Sequence, residues 1–163
     1  MNIIVQAGGR GSRLRHHTWN KPKCLVSVRG KPILYHLFNT FPDAHFYIIG
    51  DYHYDQLEAY LNSNNPAVEY TLIKATDSGT ASGIQQALSQ MPKNQPVLLT
   101  WSDIIINEFE YPLDSGTTLY LTDAFACRWS FDGEKLVEQN SDSTGVPGIF
   151  WFEQADTLDH LPS

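Results

Sequence analysis

The sequence predicts an α/β layered domain, and three observations carry that prediction. Short apolar runs alternate with amphipathic stretches through the first 101 residues in a β-α-β-α-β-α-β order. Glycine, proline and asparagine punctuate the joints between them. From Thr117 the rhythm changes, and a strand-rich second half follows the alternating first.

The first run, Ile3 to Gln6, is apolar, short and bounded by glycine, as a strand in the middle of a parallel sheet is. Pro32 can open a helix, because its missing N–H would go unsatisfied there anyway. Ile33, Leu34, Leu37 and Phe38 then share one face. Phe46 to Ile49 is a strand closed by Gly50, and Tyr54, Leu57 and Leu61 suit a second amphipathic helix ended by Asn62-Ser63-Asn64-Asn65-Pro66. Val68 to Ile73 alternates as a strand. Ser78 to Gln90 reads as a capped helix, weakened by about 1 kcal/mol for each of Gly79 and Gly83 relative to alanine. Pro96 to Trp101 is the next buried strand. Beyond it Thr117 to Thr122, Phe125 to Phe131 and Lys135 to Glu138 are strand-like, with Asp132-Gly133 as a hairpin turn. Gly148 to Phe152 is a further strand, and Asp156 to His160 begins a helix. Without repeat or linker, residues 1-163 are expected to form one domain.

Hydrophobic content of 42% and charged content of 18% are ordinary for a globular chain. No segment approaches the roughly 18 consecutive apolar residues of a membrane span. Met1 to Gln6 has neither the basic leader nor the apolar length of a signal peptide, so a cytoplasmic protein is expected. Cys24 and Cys127 are expected to be reduced and structural, with pairing the alternative.

Charge is distributed unevenly. Residues 1 to 42 hold seven Lys or Arg and no acid, while the other 121 residues set four basic against 18 acidic side chains, a net −14. The positive block surrounds a glycine-rich turn, Ala7-Gly8-Gly9-Arg10-Gly11-Ser12-Arg13, directly after the first strand. Such a segment holds phosphates. A phosphorylated small molecule fits better than nucleic acid, because the rest of the chain would repel an extended polyanion. The alternative is a plain tight turn. A dinucleotide site would need a third glycine at position 14 and an acid about 20 positions on, but position 14 is Leu and the first acid is Asp43.

The order Ala7-Gly8-Gly9-Arg10-Gly11-Ser12-Arg13-Leu14, Thr18, Lys21-Pro22-Lys23, then Val28-Arg29-Gly30-Lys31-Pro32-Ile33 resembles the sugar-phosphate nucleotidyltransferase family. Two further matches follow in sequence: Ser78-Gly79-Thr80-Ala81 opening a helix and Trp101-Ser102-Asp103 at a strand end. The resemblance implies a Rossmann-like three-layer sandwich with a mixed, mostly parallel central sheet, of the nucleotide-diphospho-sugar transferase type. It also implies the chemistry: a phosphate oxygen of a sugar 1-phosphate or small phosphorylated alcohol attacks the α-phosphorus of a nucleoside triphosphate and expels pyrophosphate. Positioning and electrostatic stabilisation dominate such catalysis.

On this resemblance Ala7, Gly8, Gly9, Gly11 and Ser12 cradle the triphosphate, the glycines because no Cβ blocks close approach. Arg13 binds the β- and γ-phosphates in forked geometry, and Lys23 neutralises the α-phosphate and the attacking phosphate. Asp103 is a Mg2+ ligand at the carboxyl edge of the sheet. Ser78, Gly79 and Thr80 border the nucleobase. Glu138 and Gly148 resemble the substrate-contacting hairpin and the strand after it, although the lysine and proline of the family's Glu-Lys-Pro are replaced by Gln139 and Asn140. Arg10, Arg15 and Lys21 are either solvated loop charges or further phosphate contacts.

The family's second metal-binding aspartate has no match before the chain ends at Ser163. The resemblance therefore leads one to expect either a truncated piece of a longer protein or a short member that completes its site differently. Adjacent His16-His17 cannot easily converge on one metal. Trp129, Trp151, Tyr47 and Phe46 read as core, and Tyr52 to Tyr54 as either cleft lining or helix-entry packing. Two functions stand. One is a magnesium-dependent nucleotidyltransferase, with a cytidylyltransferase acting on a phosphoalcohol or phosphonate as a variant. The other is a nucleotide-binding regulatory or partial domain without turnover. No nucleic acid or membrane partner is expected; nucleobase and oligomeric state stay open.

Overall fold

The computed structural model describes residues 1–76 and 80–160. Along the chain lie β1 (Asn2–Gln6), β2 (Ser27–Val28), β3 (Lys31–Pro32), α1 (Ile33–Thr40), β4 (His45–Gly50), α2 (Tyr54–Asn64) and β5 (Glu69–Lys74). They are followed by α3 (Thr80–Ser89), β6 (Val97–Trp101), β7 (Thr117–Leu119), β8 (Ser130–Phe131), β9 (Leu136–Val137) and β10 (Ile149–Phe152). Short 3-10 segments cover Ser12–Thr18, Lys23–Leu25 and Ala155–His160.

Six strands form the central sheet in the order β5-β4-β1-β6-β10-β7. The first four run parallel, and β10 is antiparallel to both β6 and β7. Both faces are covered, so β1 is an unbroken apolar run rather than an alternating one. Its Ile3 and Val5 pack with Leu34, Leu37 and Phe38 of α1 and Leu57 and Leu61 of α2. Ile4 faces the other way, toward Ile84, Ala87 and Leu88 of α3 and Leu158. This is the mixed, mostly parallel three-layer sheet that the sequence predicts.

Gly83 costs helix propensity, and its packing explains why it is there: a Cβ would lie 2.5 Å from Ile49 Cγ2. The missing side chain lets α3 settle on the sheet. Among the described residues no helix is long and apolar enough to cross a membrane. Both cysteines are unpaired and buried, and desolvation pushes the Cys24 thiol up to about 12.

The second half departs from the sequence expectation. Of Thr117 to Thr122 only the first three residues are strand, and of Phe125 to Phe131 only the last two. Several of the remaining side chains face water instead of packing: Leu121 is 44% and Phe125 51% exposed. The hairpin at Asp132-Gly133 does form, with Asp132 Oδ1 accepting the backbone N–H groups of Glu134 and Lys135, each at 2.9 Å. Gly133 takes a φ of 105°, which favours glycine. The final helix is 3-10 rather than α, seated by buried Ala155 and Leu158.

From β1 the chain passes to β4 on one side, then returns to the other side of β1 as β6. The carboxyl ends of β1, β4 and β6 therefore meet at a topological switch point, where open α/β sheets bind ligands.

Candidate functional site

A cleft of about 730 Å³ opens at this switch point. Its first wall is the glycine-rich turn. Ala7 N–H donates to Ile49 O at 2.8 Å, which ties the turn to β4. Gly8 passes so close to the end of β4 that a Cβ would lie 3.0 Å from Asp51 Cβ. Gly11 has a φ of 59°, and a Cβ there would meet Thr18 Cγ2 at 3.0 Å and Lys23 Cβ at 3.1 Å. Its carbonyl accepts the N–H of Leu14 at 2.8 Å. The buried Thr18 hydroxyl reaches the same carbonyl at 3.1 Å and Arg15 O at 3.2 Å. Thr18 thus staples the turn from beneath.

This geometry makes Gly11 structural as well as spacious. Gly11→Ala should lower unfolding free energy by about 1–2 kcal/mol through the left-handed backbone alone. Urea denaturation checks this, and an unchanged midpoint would show that the turn relaxes freely.

Lys23 begins a 3-10 turn whose next two residues, Cys24 and Leu25, are buried in the core. Asp103 follows Ser102, whose N–H donates to Gln6 O at 3.2 Å and so holds the end of β6 beside the end of β1. These anchors bring together two groups 80 positions apart. Lys23 Nζ pairs with Asp103 Oδ2, the two side chains being 21% and 34% exposed. Arg13, Gly9 and Ser12 line the same cleft.

Trp101, Arg128 and Trp129 supply further lining. Trp129, expected in the core, is half-buried and faces the cleft because residues 125 to 129 do not join the sheet. Arg128 and Asp51 were not foreseen as lining. Arg128 is the sole Lys or Arg between Lys93 and Lys135, and Asp51 directly follows a buried strand, as Asp103 nearly does. Both signals were readable.

Glu138 and Gly148 do not line the cleft. Glu138 Oε1 accepts Arg128 Nε–H at 2.7 Å and also pairs with Nη2. Gly148 supports Trp101: its φ is 88°, its carbonyl accepts Trp101 N–H at 3.0 Å, and a Cβ would come within 2.1 Å of the indole. Gly148→Ala should therefore cost about 3 kcal/mol, from left-handed strain plus overpacking. A denaturation midpoint near wild type would contradict that packing.

Ser78 and Gly79 lie outside the described residues, and Thr80 begins α3. The rings of His16 and His17 are 4.0 Å apart, and among the described residues no three His, Cys, Asp or Glu side chains group as a metal site. Arg10 sits 5.8 Å from the Tyr52 ring centroid, and His53 Nε2 lies 3.0 Å from Trp19 O. The residues between β4 and α2 thus brace the basic loop.

Residues 3–112 match the family model described as the MobA-like NTP transferase domain. A bifunctional protein GlmU of Methanocaldococcus jannaschii is 30% identical over 111 residues, which is 67% of this chain and 23% of that protein. A GlmU of Burkholderia vietnamiensis is 29% identical over 122 residues, 73% of this chain and 24% of that protein. The chain thus spans about a quarter of the length of these curated relatives. Among solved structures, HddC from Yersinia pseudotuberculosis superposes with a TM-score of 0.79 at 22% identity, over 99% of this chain and 80% of that one. The CTP:phosphocholine cytidylyltransferase LicC of Streptococcus pneumoniae has a TM-score of 0.73 at 19% identity, over 97% and 75%. These structures share the fold.

Proposed function

Because the chain belongs to the MobA-like NTP transferase domain family, we propose that residues 1-163 form a nucleotidyltransferase domain that couples a nucleoside triphosphate to a sugar 1-phosphate or similar small phosphorylated substrate. The observation that carries this reading is the meeting of the glycine-rich turn, Lys23 and Asp103 in one cleft at the switch point.

Each cation has a task there. The backbone N–H groups of Gly8, Gly9 and Gly11 face triphosphate oxygens at close range, since no side chain intervenes. Arg13 grips the β- and γ-phosphates in two-pronged fashion and stabilises them as they leave. Lys23 exchanges Asp103 for the α-phosphate and the attacking phosphate, which otherwise repel each other. An acceptor phosphate oxygen bonds to the α-phosphorus, the α–β bridging bond breaks, and its electron pair leaves on pyrophosphate. A dianionic acceptor needs no base.

Asp103 offers an exposed hard carboxylate beside the phosphate loop. That donor fits magnesium, which is commonly held by one or two carboxylates plus substrate phosphates. Bound there, the ion would supply charge neutralisation at the phosphate oxygens. Trp101 and Trp129 favour a second reading of the acceptor, a phosphoalcohol whose apolar or cationic tail lies on an aromatic wall.

The test is incubation of the chain with each triphosphate, magnesium and a panel of sugar 1-phosphates and phosphoalcohols, following pyrophosphate. Release that depends on an acceptor is expected. Triphosphate binding without release under every pairing would replace transfer with a regulatory nucleotide site.

A further inference from the structure

We propose that Arg128, aimed by Glu138, binds the phosphate of the acceptor; the assignment rests on the nucleotidyl-transfer reading above. Among the described residues three cations line the cleft: Arg13, Lys23 and Arg128. Two are already engaged, Arg13 with the departing phosphates and Lys23 between the α-phosphate and the attacking phosphate. The acceptor phosphate is a dianion whose oxygens outnumber what Lys23 alone can meet while it also holds the α-phosphate, and among the described residues Arg128 is the further cation lining the cleft. Arg128 comes from the segment between β7 and β8, beyond the matched span of residues 3–112 that holds the loop, Lys23 and Asp103. The cleft is thus assembled from a shared donor half and a separate strand-poor half, and Arg128 belongs to the second.

The bonding of the guanidinium supports this role. Glu138 Oε1 takes Nε–H and one Nη2–H, the side edge of the fork. A guanidinium has five N–H donors, so about three remain, on the Nη1/Nη2 end, which is the geometry that grips a phosphate with two bonds. The Arg128 and Glu138 side chains are 64% and 50% exposed, so their pairing contributes little to stability. Its consequence is orientation: a long side chain is held in one direction beside the cleft. Glu138 is on this account a positioning residue that acts through Arg128.

The test uses inorganic phosphate as the probe. It is titrated into the full chain carrying Arg13→Ala, which removes the loop arginine, and into the same chain with Arg128→Gln or Glu138→Gln added. Loss of Arg128 should weaken phosphate binding about tenfold or more, as expected for a bond between charged groups. Glu138→Gln should weaken it less, and Glu138→Asp should recover part of the loss. Equal phosphate affinity with and without Arg128, or no phosphate binding by the Arg13→Ala chain, would overturn the assignment.

A kinetic arm separates this proposal from the reaction itself. In otherwise wild-type chain, Arg128→Gln should raise KM for the acceptor while leaving KM for the triphosphate within about twofold. Acceptor-dependent pyrophosphate release with an unchanged acceptor KM removes Arg128 from the site and leaves the reaction standing. Phosphate binding that needs Arg128, in a chain that releases no pyrophosphate, keeps the anion site and removes the reaction.

Discussion

Asp103→Asn lowers pyrophosphate release by about a thousandfold while triphosphate affinity stays within about threefold of wild type. The substitution keeps size and polarity but removes the charge, so the carboxylate no longer serves as a ligand for a hard cation. Triphosphate stays bound because Arg13, the loop amides and Lys23 still hold it, and Lys23 has lost the partner that competed for it. Manganese, read by its electron spin resonance, provides the control. In wild type it should bind tightly only when triphosphate is present, since a single carboxylate leaves most of its coordination to phosphate oxygens. Tight manganese binding to nucleotide-free chain would show a second protein ligand, and near-native turnover by Asp103→Asn would remove Asp103 from catalysis.

Lys23→Ala lowers turnover by about a hundredfold or more, because it deletes the charge between two phosphates that must come together. The Lys23 stem also packs where a Gly11 side chain would stand, so truncation leaves a small gap beside the turn. Lys23→Met separates these effects: it restores the stem without the charge. Both variants should lose turnover alike, with stability of Lys23→Met within about 0.5 kcal/mol of wild type. Recovery of turnover by methionine would make Lys23 a packing residue.

The legible parts of this fold are those in which one segment carries its own evidence. β1, β4 and β6 are buried on both faces, so each is a bounded apolar run in the sequence itself. Residues 117 to 137 face water on one side and make few ladder bonds, so their β-like composition overstated their strands. The same division runs through the cleft. Gly8, Gly11 and Asp103 sit in short motifs after strand ends and Lys23 in a Lys-Pro-Lys motif at the start of a buried 3-10 turn, where local order fixes position. Gly148 needs its glycine because the Trp101 ring lies against it, a contact no local pattern reveals. Glu138 resembles a substrate contact by its place in the hairpin, but its carboxylate is taken by Arg128, a pairing across ten positions that the hairpin motif does not show.

In the proposed reaction one cleft joins a triphosphate to a phosphorylated acceptor. Phosphorus NMR of chain, magnesium, triphosphate and the best acceptor of the panel follows both phosphates through that joining. The acceptor monoester resonance is expected to give way to a coupled pair of diphosphate resonances, with one pyrophosphate formed for each and no inorganic phosphate. An unchanged acceptor resonance, with triphosphate either intact or hydrolysed to inorganic phosphate, would contradict it.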